Sequence, residues 1–236
     1  MLFVSPPFGN YFPQNNKNIT PVRGSFTLEP RPGLIISILK SLRYSPKYEG
    51  WVNKIGLKNK GIDWALEKHK SDEVLSIAIL KESEIKELES KIPKEANIEL
   101  NISCPNVKND TNIKDKELDL SCFINRYRRW CILKLSPKTT TKEIEHYYNM
   151  GFRQFHCCNT LPVEQGGLSG KTLKPYSLEM IRRIKNKYDD VIIIGGGGIQ
   201  TIKDIEEYKN VGANHFSIST LCFNPIKFIN LYRSYF

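Results

Sequence analysis

The stretch CILKLSPKTTTKEIEHYYNMGFRQFHCCNT, residues 131–160, decides the fold class of this chain. It opens with an apolar run at residues 131–135 and ends in a second apolar run at residues 152–158. Both runs are nearly continuous hydrophobics, as strands buried on both faces should be. Between them, a helix with a threonine cap run has amphipathic spacing. A strand, a crossover helix and a second strand predict a parallel sheet.

The same alternation of strand and helix extends from residue 74 to the end of the chain. Further strands are predicted at residues 74–80, 97–103, 191–194 and 215–219, and further helices at 82–92, 118–129, 177–187, 201–208 and 225–232. The first 73 residues, rich in Pro, Gly and Asn, must supply the remaining strands with few helices. An open sheet is the alternative, but polar motifs follow several different strands, which is how a barrel builds its site. We therefore predict a lean (β/α)8 barrel, a single domain over residues 1–236.

Composition and charge narrow the function classes. The 236 residues are 40% hydrophobic, enough for one substantial core. No apolar run approaches the roughly 18 residues of a membrane span, and the N-terminal residues lack the pattern of a signal peptide. The six cysteines form no disulfide framework, which predicts a reduced, cytoplasmic protein. The net charge of +10 suggests nucleic acid, but the lysines are scattered beside glutamates, as on a solvated face.

The polar motifs at the predicted strand ends are candidates for chemistry. Cys104 lies in NISCPNV (residues 101–107), between asparagines and before a proline, whereas a cysteine that only fills a core needs no such setting. Lys134 would point from its strand into the barrel mouth, where a buried ammonium needs an anion or a polar ligand. The four glycines at 195–198 form either a tight turn or a phosphate seat, and Ser219 and Thr220 after the last strand favour phosphate.

These motifs, in this order and spacing, resemble the dihydroorotate dehydrogenase family. The resemblance covers the chain from about residue 20 to the C-terminus. Each motif alone is weak, but several in register are specific. The matching stretches are NISCPN (101–106), KLSP (134–137), CNT (158–160), GGLSG (166–170), IIGGGGI (193–199), GSFTLEPRPG (24–33) and VNKIGLKNKGID (52–63).

The resemblance implies an FMN-dependent barrel that oxidises dihydroorotate to orotate in pyrimidine biosynthesis. Cys104 matches the base of the soluble class, which takes the C5 proton while hydride leaves C6 for flavin N5. Lys134 matches a lysine near flavin N1, where negative charge develops on reduction. Substrate-binding matches are Asn53, Asn101, Asn106, Asn159 and Thr160; cofactor-binding matches are Ser25, Asn101, Lys134, Gly167, Ser169, Gly170, Gly197, Gly198, Ser219 and Thr220. No metal is expected.

Departures from the family pattern concentrate near the N-terminus. Only about fifteen residues separate Gly9 from Gly24, so the first helix of the barrel is expected to be reduced or missing. No lysine matches the family's N-terminal substrate lysine, and Lys17 and Arg23 are the possible stand-ins. The family's N-terminal membrane helix has no counterpart, so we expect a soluble electron acceptor and no membrane partner.

Two other functions stay open at this point. An FMN-dependent tRNA dihydrouridine synthase also places a cysteine before proline, and the basic charge suits RNA, although GGLSG and Asn106 favour the first function. A degenerate, non-catalytic flavin-binding barrel is the other. The sequence does not name the electron acceptor, whether fumarate, NAD through a partner subunit or another oxidant. The resemblance suggests a homodimer, and a nucleic-acid partner is not expected.

Overall fold

The computed structural model describes residues 1–12, 18–102 and 118–236. In chain order, the strands of these residues are β1 (Leu2–Val4), β2 (Ile19–Phe26), β3 (Arg43–Ser45), β4 (Gly50–Asn53), β5 (Val74–Ala78), β6 (Ile98–Asn101), β7 (Cys131–Leu135), β8 (Gln154–Cys157), β9 (Leu161–Val163), β10 (Gly166–Gly170), β11 (Ile192–Gly196) and β12 (His215–Ile218). The helices are α1 (Leu34–Ser41), α2 (Ile62–Glu67), α3 (Ile85–Lys91), α4 (Thr141–Met150), α5 (Lys174–Lys185), α6 (Ile202–Asn210) and α7 (Pro225–Tyr235).

Eight of the strands close into a parallel barrel in the order β1-β12-β11-β8-β7-β6-β5-β2. The predicted (β/α)8 barrel is thereby confirmed. Between β1 and β2, the described residues contain a 3₁₀ turn, Phe8–Tyr11, and no α-helix. This agrees with the expectation that the first helix is reduced.

The helix that follows β7 begins where the sequence places its threonine cap. Thr140 and Glu143 form a reciprocal capping box at the start of α4, and Gly151 ends the helix with a left-handed φ of 114°. The helix predicted at residues 118–129 is wrong, because its described part contains only a 3₁₀ turn, Ser121–Phe123. There, the Asn125 side chain accepts hydrogen bonds from two following backbone N–H groups and so competes with helix formation. No helix in the described part of the chain could cross a membrane.

A second, antiparallel sheet in the order β3-β4-β10-β9 lies outside the barrel ladder. It pairs β4, from the first quarter of the chain, with the GGLSG strand β10, and Asn53 lies opposite Gly167. The sequence analysis missed this sheet, since its short strands come from distant segments. The sheet nevertheless matters for the site, because it joins two of the predicted ligand-binding segments.

The interior of the barrel has an apolar layer and a polar layer. Toward the amino ends of the strands, an apolar cluster fills the interior; its buried members are Phe3, Val22, Val74, Trp130, Ile132 and Ile194. Side chains two residues apart on a strand point to the same side. The residues two positions after Phe3, Val74 and Ile132 therefore also face inward, and these are Ser5, Ser76 and Lys134. A polar layer thus lies toward the carboxyl ends of the strands, where barrels carry their sites.

Candidate active site

A cavity of about 100 Å³ lies at the carboxyl end of the barrel. It brings together nine residues that the sequence assigned to a site: Lys134, Asn159, Thr160, Ser169, Gly170, Gly197, Gly198, Ser219 and Thr220. They come from the ends of β7, β8, β10, β11 and β12, so the closure of the barrel assembles segments that are far apart in sequence. Cys104 and Asn106 lie outside the described residues.

Lys134 is buried in a cluster with two charged or titratable partners. Its Nζ donates to Glu99 Oε1 at 3.1 Å, and the other carboxylate oxygen, Oε2, lies 2.6 Å from His156 Nδ1. Burial alone would raise the pKa of Glu99, but Lys134 and His156 lower that pKa to about 2. Burial lowers the pKa of His156 below its usual value. At neutral pH, Glu99 is therefore a carboxylate, and His156 is a neutral imidazole that donates to it through Nδ1.

A line of hydrogen bonds connects this cluster to the predicted substrate amides. Glu99 Oε1 also accepts from Ser76 Oγ at 2.9 Å, and Ser76 Oγ lies 2.8 Å from Ser25 Oγ. Asn101 Nδ2 donates to Ser25 Oγ at 2.9 Å, while Asn101 Oδ1 accepts from Asn159 Nδ2 at 2.9 Å. Ser25 and Asn101, which do not line the cavity, therefore reach it through Asn159.

The remaining predicted residues occupy the second sheet. Asn53, on β4, lies opposite Gly167, on β10, and its Nδ2 approaches the Gly167 carbonyl at 3.5 Å. Of the stand-ins for a substrate lysine, Lys17 lies outside the described residues. Arg23 donates instead to the buried carboxylate of Glu73 and to the Lys68 carbonyl, which are not part of the cavity lining.

The glycine run after β11 has the geometry of an anion cradle. Gly197 and Gly198 have φ values of 98° and 84°, the left-handed region that favours glycine. A Cβ on Gly198 would lie 2.9 Å from the Gly170 carbonyl oxygen, so a side chain has no room there. The buried Tyr208 hydroxyl donates to the carbonyls of Gly196 and Gly197 at 3.0 and 2.6 Å, which fixes the turn from behind. Successive glycine amides in such turns suit a phosphate group.

These residues fit FMN in chemical character. The glycine turn offers backbone donors for a phosphate and Thr220, beside it, a hydroxyl, whereas the Ser219 hydroxyl donates to the Pro6 carbonyl at 3.0 Å. Lys134 offers a fixed positive charge for a group that becomes anionic on reduction, and the amides offer both donors and acceptors for a flat ring.

Sequence reasoning missed two residues that hold the site together, Glu99 and His156. Both were treated as parts of ordinary strands. The available signal was a glutamate two residues before Asn101 in a predicted strand, which places both side chains on the same face, and the structure shows that Glu99 is fully buried. A buried carboxylate requires a cationic partner, so Glu99 could have been paired with Lys134 on the next strand.

Cys158 also lines the cavity but does not suit proton abstraction. Burial raises the pKa of its thiol to about 12, so the thiolate is scarce near neutral pH. Cys157, beside it, is fully buried, and burial raises its pKa as well. Neither described cysteine at this strand end therefore replaces Cys104 as the candidate base.

Comparison with known proteins agrees with this geometry. The family model for dihydroorotate dehydrogenase matches residues 20–230. The catalytic subunit of dihydroorotate dehydrogenase B (NAD(+)) from Petrotoga mobilis is 31% identical, over 92% of this chain and 81% of the relative. Its counterpart from Geobacillus kaustophilus is 30% identical, over 74% of this chain and 65% of the relative.

A solved structure agrees in fold. The Eimeria tenella DHODH, crystallised in complex with ferulenol, has a TM-score of 0.67 over 89% of this chain and 72% of that chain, at 19% sequence identity. The family match over most of the chain, together with the curated relatives, settles membership. The chain belongs to the dihydroorotate dehydrogenase family, a family of FMN-dependent oxidoreductases that act on CH–CH bonds.

Proposed function

We propose that this chain oxidises dihydroorotate to orotate, with Cys104 as the base. The observation that supports this best is a cavity at the carboxyl end of the barrel that is lined by the buried Lys134 and by Asn159, whose amide is hydrogen-bonded to that of Asn101. An amide-rich pyrimidine ring needs donors and acceptors side by side, and asparagine supplies both.

The proposed chemistry divides between the protein and the cofactor. Cys104, as thiolate, takes the proton from C5, and the electrons of the C5–H bond form the C5=C6 double bond as hydride leaves C6. FMN, when bound, supplies the acceptor for that hydride. Lys134 holds a positive charge where negative charge develops, and Asn101 and Asn159 orient the ring so that C5 meets the base.

The electron acceptor and the assembly belong to the same proposal. The relatives are named as NAD(+)-type catalytic subunits, which favours NAD as the final oxidant, reached through a second subunit. Fumarate is the alternative oxidant. Turnover of the isolated chain with fumarate would support the alternative, whereas an isolated chain that turns over with neither oxidant agrees with NAD reached through a second subunit. The mass of the purified protein in solution tests the expected homodimer.

An anaerobic titration of the FMN-loaded protein with dihydroorotate tests the proposal directly. We expect the flavin to bleach with one equivalent of substrate, and the rate to fall by at least about a hundredfold in Cys104→Ser near neutral pH, because a serine hydroxyl is a far weaker acid than a thiol. Cys158→Ser is the matched control and should bleach at a rate within a few-fold of wild type.

Two results would overturn the assignment. Protein that carries FMN but is not reduced by dihydroorotate is not this dehydrogenase. Tight, salt-sensitive binding of tRNA would instead support the dihydrouridine synthase alternative, since phosphate contacts depend steeply on salt.

A further inference from the structure

The hydrogen bonds inside the barrel converge on one carboxylate. Glu99 Oε1 accepts from both Lys134 Nζ, at 3.1 Å, and Ser76 Oγ, at 2.9 Å. From Ser76 the bonds continue through Ser25 and Asn101 to Asn159. Glu99 and Ser76 are both fully buried, so water does not compete for these bonds. Glu99 therefore contacts two branches of the network. The lysine branch is Lys134, and the amide branch runs through Ser76, Ser25 and Asn101 to Asn159.

The chemistry of the two ends fixes the direction of every bond in the amide branch. An ionised carboxylate only accepts, so Ser76 uses its one hydroxyl proton on Glu99 and must accept from Ser25. Ser25 then accepts in turn from Asn101 Nδ2.

At the other end the backbone N–H of Thr160 only donates, and it donates to Asn159 Oδ1 at 2.9 Å. Asn159 therefore turns its Nδ2 toward Asn101 Oδ1. The directions imposed by the acceptor-only end and the donor-only end agree, and the bonds run head to tail from Thr160 to Glu99.

We propose that Glu99 is a positioning residue shared by the two halves of the site, and that Ser76 links it to the substrate half. Glu99 holds Lys134, which faces the cofactor, and through Ser76 and Ser25 it holds the Nδ2 edge of the Asn101 amide, on the side away from Asn159. The assignment of these groups to cofactor and substrate rests on the proposed function. The shared carboxylate itself rests on the geometry.

The charge of Glu99 keeps this arrangement in one state. Two groups oppose protonation of the carboxylate: the Lys134 ammonium at 3.1 Å and the His156 ring at 2.6 Å. As long as Glu99 is ionised, Ser76 has no choice of donor direction. Without the acceptor, the Ser25 hydroxyl no longer has to accept from Asn101 Nδ2, so the Asn101 amide is held only by Asn159 and becomes less ordered.

Three variants separate the two branches. Ser76→Ala cuts only the amide branch and leaves the contacts of Glu99 with Lys134 and His156 in place. Glu99→Gln disturbs both branches. Ser177→Ala is the matched control, since Ser177 is equally buried and its hydroxyl donates to the Cys157 carbonyl outside this network.

The readouts on FMN-loaded protein are the Kd for orotate, the Kd for FMN, and the side-chain amide ¹⁵N–¹H signals of Asn101 and Asn159. For Ser76→Ala we expect the Kd for orotate to rise about tenfold, as for the loss of one ordered hydrogen bond, with the Kd for FMN within about twofold of wild type. The Asn101 amide signals should broaden or double. Glu99→Gln should weaken both ligands, Ser177→Ala neither, and Ser76→Thr, which restores a hydroxyl, should recover most of the orotate affinity.

The outcomes distinguish the positioning role from the proposed function. If wild-type protein does not bind orotate, the proposed function fails, while the amide signals of Asn101 still report on the anchoring by Glu99. If Ser76→Ala leaves both the orotate affinity and the Asn101 signals unchanged, the positioning role is refuted. The same conclusion follows if Ser76→Ala behaves like Ser177→Ala in every readout, because the hydroxyl is then only structural.

Discussion

Tyr208→Phe is the substitution that most directly tests how the glycine turn is built. The Tyr208 side chain is fully buried, and its hydroxyl proton is shared between the carbonyls of Gly196 and Gly197. Burial raises the pKa of this phenol well above its usual value, so the hydroxyl remains a donor at any accessible pH. Phenylalanine preserves the ring that packs beside Gly195 and removes only the donor.

The magnitude follows from the two carbonyls that lose their donor. Leaving a buried acceptor unsatisfied costs about 1–3 kcal/mol, and one shared proton serves both acceptors here, so we expect a loss of about 2 kcal/mol in the free energy of unfolding. With a urea m-value of about 2 kcal/mol/M, the unfolding midpoint should fall by about 1 M. Because the loosened turn includes Gly197, the Kd for FMN should also rise by about tenfold, equivalent to about 1.4 kcal/mol.

Urea unfolding of the FMN-loaded protein, followed by circular dichroism, and fluorescence titration of FMN are the assays. The matched control is Tyr148→Phe, whose hydroxyl donates to the exposed carboxylate of Asp190 and should matter by less than about 0.5 kcal/mol. Equal midpoints for the two variants, or an unchanged FMN affinity in Tyr208→Phe, would refute the role assigned to this hydroxyl.

Three further predictions concern charge and backbone. The folded-state pKa of Glu99, about 2, lies below the ordinary 4.5, so its stabilising contribution is present above pH 4.5 and is lost as the pH falls toward 2. Urea unfolding at a series of pH values should show the free energy of unfolding falling by about 3 kcal/mol in this window, and this fall should be absent in Glu99→Gln. Lys134→Met leaves the buried Glu99 carboxylate without its cationic partner, so the free energy of unfolding at pH 7, measured in urea, should fall by about 3 kcal/mol. A smaller fall than in a variant of an exposed lysine would contradict the buried pair. Gly198→Ala should weaken FMN binding more than Gly33→Ala, because both glycines have left-handed φ values but only at Gly198 does a Cβ meet a neighbouring carbonyl, that of Gly170.

The sequence predicted the barrel because its decisive features are local. Continuous apolar runs and capped amphipathic helices follow from neighbouring residues, and the positions of Lys134, Asn159 and the glycine run at strand ends follow from the barrel topology. The partners of Lys134 were harder to find. Glu99 lies on an adjacent strand, opposite Ile132 in the ladder, so its pairing with Lys134 can be predicted only once both strands and their inner faces have been assigned.

The unpredicted second sheet and the wrongly predicted helix at residues 118–129 both depend on contacts that hydrophobic spacing does not reveal. The second sheet depends on pairing between β4 and β10, whose residues Asn53 and Gly167 are 114 positions apart, and no local pattern reports such pairing. The false helix at residues 118–129 came from apolar residues at helical spacing, among them Leu120 and Phe123. Both are buried, but the Asn125 side chain accepts from the Tyr127 backbone N–H and forms a turn, so the backbone does not continue as a helix.

The pairing of β4 with β10 has a consequence for how the two proposed ligands would affect each other's affinity. Asn53, predicted to contact substrate, and Gly167, predicted to contact cofactor, occupy opposite positions of one ladder. Because backbone hydrogen bonds join the two strands, we expect a ligand that shifts one strand to shift the other. If the predicted contacts hold, the factor by which FMN changes the affinity for orotate must equal the factor by which orotate changes the affinity for FMN. The small sheet beside the barrel would then couple the two binding equilibria.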